Sequence, residues 1–90
     1  MIKKLFISKV AKAILASTYN HEEINVIDIA REFQIFNYSM IVKQRKILED
    51  SGLIQSSLKG RQRFMRITDK GRKFFEHLKG MEEIVGRDYL

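Results

Sequence analysis

The sequence predicts an α+β domain, mainly α, built from three helices, a two-stranded β-hairpin and one further helix. Three observations predict it. Apolar residues recur at helical spacing in four stretches, two asparagines and a glycine stand where helix caps belong, and two strand-like runs flank a turn at Lys59-Gly60.

In chain order, residues 3–18 read as a helix. Phe6, Val10, Ala13, Ile14 and Ser17 fall on one face and Lys9, Lys12 and Ala16 on another. Tyr19 to Glu23 is a polar break. Ile24-Asn25-Val26 reads as a short extended lead into a second helix, with Asn25 at the N-cap and Asp28 at N3. That helix runs to about Phe33, with Ile29, Ala30 and Phe33 inward, and Gln34-Ile35-Phe36 leaves room only for a tight turn. Asn37 caps a third helix, which ends at Ser51-Gly52 where glycine supplies a left-handed cap. Met40, Ile41, Gln44, Ile47 and Leu48 make one face of it; Tyr38, Ser39, Val42, Lys43, Arg45, Lys46, Glu49 and Asp50 make the other. Leu53 to Leu58 and Gln62 to Thr68 are the two strands. Thr68 or Asp69 caps the last helix, whose apolar stripe is Phe74, Phe75, Leu78, Met81, Ile84 and Val85.

Ninety residues, 44% hydrophobic, make one domain over residues 1–90. A domain this small buries a modest fraction of its surface and is commonly reinforced by disulfides, a metal or oligomerisation. Cysteine is absent, and His21 and His77 stand far apart, so neither a disulfide nor a structural zinc is expected, and no cofactor. Oligomerisation remains. Lys9 and Lys12 interrupt the apolar stretch behind Met1-Ile2-Lys3-Lys4, which argues against a signal peptide. No run approaches the ~18 apolar residues of a membrane span. A soluble, cytoplasmic protein without a membrane partner is expected.

The net charge is +6 and unevenly placed. Residues 37–73 hold ten Lys/Arg and three acids, a net of +7, while the remainder of the chain nets −1. A basic field concentrated in one stretch attracts polyanions, nucleic acid first among them.

Three stretches carry a family resemblance. Val26-Ile27-Asp28-Ile29-Ala30-Arg31-Glu32-Phe33 resembles the first helix of a helix-turn-helix, with small Ala30 where two helices cross. Leu48-Glu49-Asp50-Ser51-Gly52-Leu53-Ile54 resembles the exit from a recognition helix into a wing. Arg66-Ile67-Thr68-Asp69-Lys70-Gly71-Arg72-Lys73-Phe74 resembles the "L-T-x-K-G-R-x-F" entry into a C-terminal helix, a pattern common in MarR-like regulators and small archaeal winged-helix proteins. Together the chain resembles the winged helix-turn-helix family, and in size most of all the small regulators of archaea and their viruses. It departs from the pattern at Gln34, where Gly is frequent, and at Phe36, where Ser is common.

The resemblance implies a sequence-specific, double-stranded-DNA-binding transcriptional regulator. Its recognition helix, residues 37–51, would enter the major groove, and its basic wing, residues 58–63, would meet the backbone or minor groove. The site residues are Asn37, Tyr38, Ser39, Val42, Lys43, Arg45 and Lys46 on the helix, with Lys59, Gly60, Arg61 and Arg63 on the wing. Ser39 serves equally as a local cap, and Tyr38 as a packing residue against the preceding helix. Lys70, Arg72 and Lys73 are either phosphate contacts or an exposed helix face. Residues 74, 78, 81 and 85 have the spacing of a coiled-coil seam, so residues 69–90 are expected to form a C-terminal dimerisation helix. With the first helix they would give a homodimer interface of Phe6, Val10, Phe74, Leu78, Met81 and Val85; the alternative is that these side chains cover the domain's own core. No catalytic constellation stands out and no small-molecule effector is evident. Two other functions use the same fold: an architectural chromatin-type protein that binds DNA without sequence preference, and a protein-docking module.

Overall fold

The computed structural model describes residues 8–35 and 37–85. Its elements are α1 (Lys9–Asn20), β1 (Ile24–Asn25), α2 (Val26–Phe33), α3 (Tyr38–Asp50), β2 (Ile54–Lys59), β3 (Gln62–Ile67) and α4 (Asp69–Val85). The expected order of helices and strands is present. Phe6 and the side chain of Val85 lie outside the described residues.

Polar side chains open the helices by taking up amide groups that have no partner within the helix. Ser8 Oγ accepts from the Ala11 N–H at 3.0 Å, Asn25 Oδ1 from Asp28 N–H at 2.8 Å, and Asn37 Oδ1 from Met40 N–H at 3.3 Å. At the end of α2 the chain reverses through Gln34, which takes the left-handed conformation itself at φ 55° and ψ 44°. The residue that stands in place of glycine therefore adopts the glycine-like backbone; Phe36, the other departure from the pattern, lies outside the described residues.

Helix α1 lies at the centre. Ile14 and Leu15 are fully buried, and Ala11, Ala13, Ser17 and Thr18 are buried around them. This is wider than the single apolar face expected, because α2, α3, α4 and β3 all pack on α1. Thr18 is tolerated there because its hydroxyl donates to the Ile14 carbonyl at 2.8 Å.

The strands form one antiparallel sheet in the order β1-β3-β2, so the hairpin gains a short third strand through the pairing of Ile24 with Met65. Strand alternation puts Ile54, Ser56 and Leu58 on the same face as their partners Ile67, Met65 and Arg63. Met65 and Ile54 are buried, so that face looks towards the helices.

Three residues expected inward are exposed instead: Phe33, Met40 and Ile47. Helix α3 buries only the narrow stripe of Ile41 and Leu48, and Met40 and Ile47 each sit one residue, about 100°, further round. Phe33 stands at the end of α2, beside a groove lined by Lys9, Lys12, Ala13 and Ala16 of α1.

The Thr68-Asp69-Lys70-Gly71 stretch has a physical reason for its composition. The Thr68 hydroxyl donates to the Gly52 carbonyl at 2.7 Å and accepts from the Gly71 N–H at 2.9 Å, while the Thr68 N–H donates to the Leu53 carbonyl at 3.1 Å. A Cβ on Gly71 would lie 2.0 Å from the Leu53 oxygen, so only glycine fits there. Lys70 Nζ donates to the Ser51 carbonyl at 2.8 Å, closing the C-terminus of α3. The start of α4 is thereby locked onto the α3–β2 junction. Among the described residues no helix is long and apolar enough to cross a membrane.

Candidate nucleic-acid interface

The side of α3 opposite Ile41 and Leu48 is open to solvent. Ser39, Lys43 and Lys46 project from it, with Tyr38 and Val42 on one flank, all exposed. Asn37 spends its side-chain oxygen on the cap, which leaves its amide nitrogen as the group able to meet a ligand. Tyr38 does not pack away against α2; it is 53% exposed.

Arg45 departs from the expected set. It lies between Ile41 and Leu48 in the i, i+4, i+7 sequence, and so turns inward. Its side chain is 11% exposed, and Nη1 donates to Glu49 Oε1 at 2.8 Å. Its Nε is buried without a hydrogen-bond partner.

Arg63 departs for an equivalent reason. It shares the helix-facing side of the sheet with Ser56 and Met65, and its Nη1 donates to Ser56 Oγ at 3.0 Å. Ser56 Oγ in turn donates to Glu49 Oε2. Burial pushes the Glu49 carboxyl up, but hydrogen bonds from Ser56 and Arg45 and the charges of Arg45 and Arg63 more than offset this, holding it below its ordinary range. Sequence reading missed this network, although the alternation 63, 65, 67 with apolar Met65 and Ile67 already carried the signal for Arg63.

The hairpin turns at Gly60, whose φ of 65° is the left-handed conformation glycine favours. Beside it Arg61 is exposed. Lys59 lies on the outer face of the sheet, 5.3 Å from the centroid of the Phe64 ring, and its ammonium is paired with Glu23. The exposed cations of the expected site are therefore Lys43 and Lys46 on the helix and Lys59 and Arg61 at the hairpin, with Arg45 and Arg63 holding the two elements together.

Of the residues expected at a dimer interface, Leu78 belongs to the domain's own core at 6% exposure, beside Phe75, which stacks at 4.8 Å on Tyr19. It faces inward because α1 and α4 pack directly on each other, an arrangement also tied by the Lys12–Glu82 ion pair. Val10 and Phe74 are partly buried against the same core. Among the described side chains of the stripe, Met81 and Ile84 are exposed, Ile84 at 85%.

No protein-family model matches the sequence, and no curated protein does. Solved structures do match. AF1382 from Archaeoglobus fulgidus superposes with a TM-score of 0.77 at 25% identity, over 98% of this chain and 100% of its own. A MarR-family transcriptional regulator from Rhodococcus sp. RHA1 superposes with a TM-score of 0.75 at 22% identity, over 82% of this chain and 54% of its own. The fold is the MarR-like winged helix-turn-helix. Helices α2 and α3 are its helix-turn-helix, and β2 and β3 are its wing. MepR of Staphylococcus aureus, solved in complex with DNA, shares this winged-helix fold with a TM-score of 0.75 at 20% identity, over 89% of this chain and 68% of its own. The chain thus spans the whole of AF1382 but little more than half of the Rhodococcus regulator.

Proposed function

We propose that this winged-helix chain is a sequence-specific double-stranded-DNA-binding transcriptional regulator that works as a homodimer. The observation that carries the reading is the joint placement of Ser39, Lys43 and Lys46 on the open face of α3 with the Lys59–Arg61 turn of the wing, in a fold that also occurs in a protein solved on DNA. An α-helix fits the major groove, where lysine meets the guanine edge and an apolar group such as Val42 meets the thymine methyl. The wing tip offers Arg61 to phosphates or to the negative potential of a narrow minor groove.

Dimerisation is supported by the exposed Met81 and Ile84 on α4. Large apolar side chains in solvent favour association, and a two-fold partner presenting the same patch is the simplest cover. A dimer places two α3 helices about one DNA turn (~34 Å) apart and selects a palindromic site.

Selection from a random duplex library, followed by affinity measurement, tests this. The expected result is an enriched motif with dyad symmetry, bound ~10³-fold or more above random sequence. Tight, steeply salt-dependent binding without a motif would indicate an architectural protein instead. Absence of duplex binding at moderate salt would leave a docking module.

A further inference from the structure

Among the described residues, the recognition helix and the wing are joined by one polar bridge. Glu49 sits in the last turns of α3 with its side chain 24% exposed. One carboxylate oxygen accepts from Arg45 on its own helix and the other from Ser56 on β2, and Ser56 is held from behind by Arg63 on β3. The three side chains come from different elements: Arg45 and Ser56 donate to Glu49 directly, and Arg63 reaches it through Ser56. It is the one negative charge in this group and stands between two guanidinium groups, so its loss leaves Arg45 and Arg63 mutually repelling with Arg45 Nε already unpartnered.

The rest of the hairpin is held elsewhere: Ile54 and Met65 are buried in the core, β1 pairs with β3, Asn25 Nδ2 donates to Gln62 Oε1 at 3.3 Å and Lys59 is paired with Glu23, so the Glu49 bridge is its polar tie to α3. Leu58, the apolar residue nearest the turn on the helix-facing side, is exposed, and Lys59 and Arg61 beyond it reach solvent. We infer that Glu49 is a positioning residue that fixes the wing relative to the recognition helix, so that Arg61 reaches the DNA backbone while α3 occupies the groove. This rests on the DNA-binding reading above. Glu49 touches no DNA itself; it acts through Ser56 and Arg63.

Charge and position make opposite predictions for Glu49→Gln. The substitution raises the net charge by one, so electrostatics alone would tighten binding to any duplex. Loss of the bridge instead weakens binding to the selected duplex, on the order of fivefold, and flattens the salt slope as Arg61 disengages. A double-mutant cycle with Arg61→Ala separates the cases. The Arg61→Ala loss measured in the wild-type background should shrink to less than about twofold in the Glu49→Gln background. Ser56→Ala cuts the strand-side leg and leaves the Arg45–Glu49 pair intact; it should show the same coupling, and it carries the test if Glu49→Gln fails to fold. Glu49→Gln binding as tightly as wild type or tighter, or an unchanged Arg61→Ala loss in both variants, would overturn the inference while wild-type binding left the DNA reading standing. A wild-type chain that binds no duplex would overturn both.

Discussion

Gln34 holds a left-handed backbone at φ 55° without being glycine, which costs a non-glycine residue of order 1 kcal/mol or more. Gln34→Gly should therefore stabilise the domain by about 0.5–1 kcal/mol after the larger entropy of glycine in the unfolded chain is deducted. A thermal melt would show this as a rise of several degrees. Two surface cations should separate reading from holding. Lys43→Ala is expected to relax base preference within the selected motif, measured by repeating the selection with the variant. Arg61→Ala should weaken all duplexes alike and lower the salt slope by about one. Lys59→Ala should lower it less, because Glu23 already neutralises that ammonium. Periodicity marked Lys43, Lys46 and Arg61 correctly as exposed. Residue type misplaced Arg45 and Arg63: it suggested solvent while helix and strand phase pointed inward, and phase decided.

Helix α4 requires glycine where it meets the α3–β2 junction and tolerates substitution further along. Gly71→Ala would drive a Cβ into the Leu53 carbonyl and should cost about 3 kcal/mol or more, with thermal unfolding as the readout. Gly80, in the same helix, has nothing within 4 Å of such an atom, so Gly80→Ala should stabilise by about 1 kcal/mol through helix propensity. The Glu49 bridge carries a pH signature. Because its folded-state carboxyl lies below the ordinary value of 4.5, its contribution is complete above that pH and is lost as pH falls through the lowered value. The stability gap between wild type and Glu49→Gln should accordingly narrow in melts taken from about pH 6 down to about pH 3. Element order was legible from caps and spacing because Asn25, Asn37 and Gly60 each act locally. The β1–β3 pairing was not, since a strand of two residues gains its partner only through the tertiary fold.

In the whole molecule, the basic stretch of residues 37–73 spans three elements: Lys43 and Lys46 are exposed on α3, Lys59, Arg61 and Arg66 on the hairpin, and Lys70, Arg72 and Lys73 at the start of α4, while α1 and α4 lie against each other. The charge concentrated in the sequence is thus shared among these elements, with Arg45 and Arg63 turned inward and the later turns of α4 carrying the exposed Met81 and Ile84. What sequence could not resolve was which part of the α4 stripe serves the core: Phe75 and Leu78 do, with Phe74 packed against them, whereas Met81 and Ile84 are exposed. Truncation after Gly80 removes Met81 and Ile84, and should give a monomer with weak DNA affinity by light scattering and titration; a fully dimeric truncated chain would contradict the proposed interface. Whether α3 and the wing together engage duplex DNA can be read from the backbone amide resonances of the full chain as a selected duplex is added. The largest shifts are expected at Tyr38 to Lys46 and at Lys59 to Arg61, with Ile14 and Leu15 little changed. Shifts concentrated instead on α1 and the outer turns of α4, with α3 and the wing unmoved, would rule this engagement out.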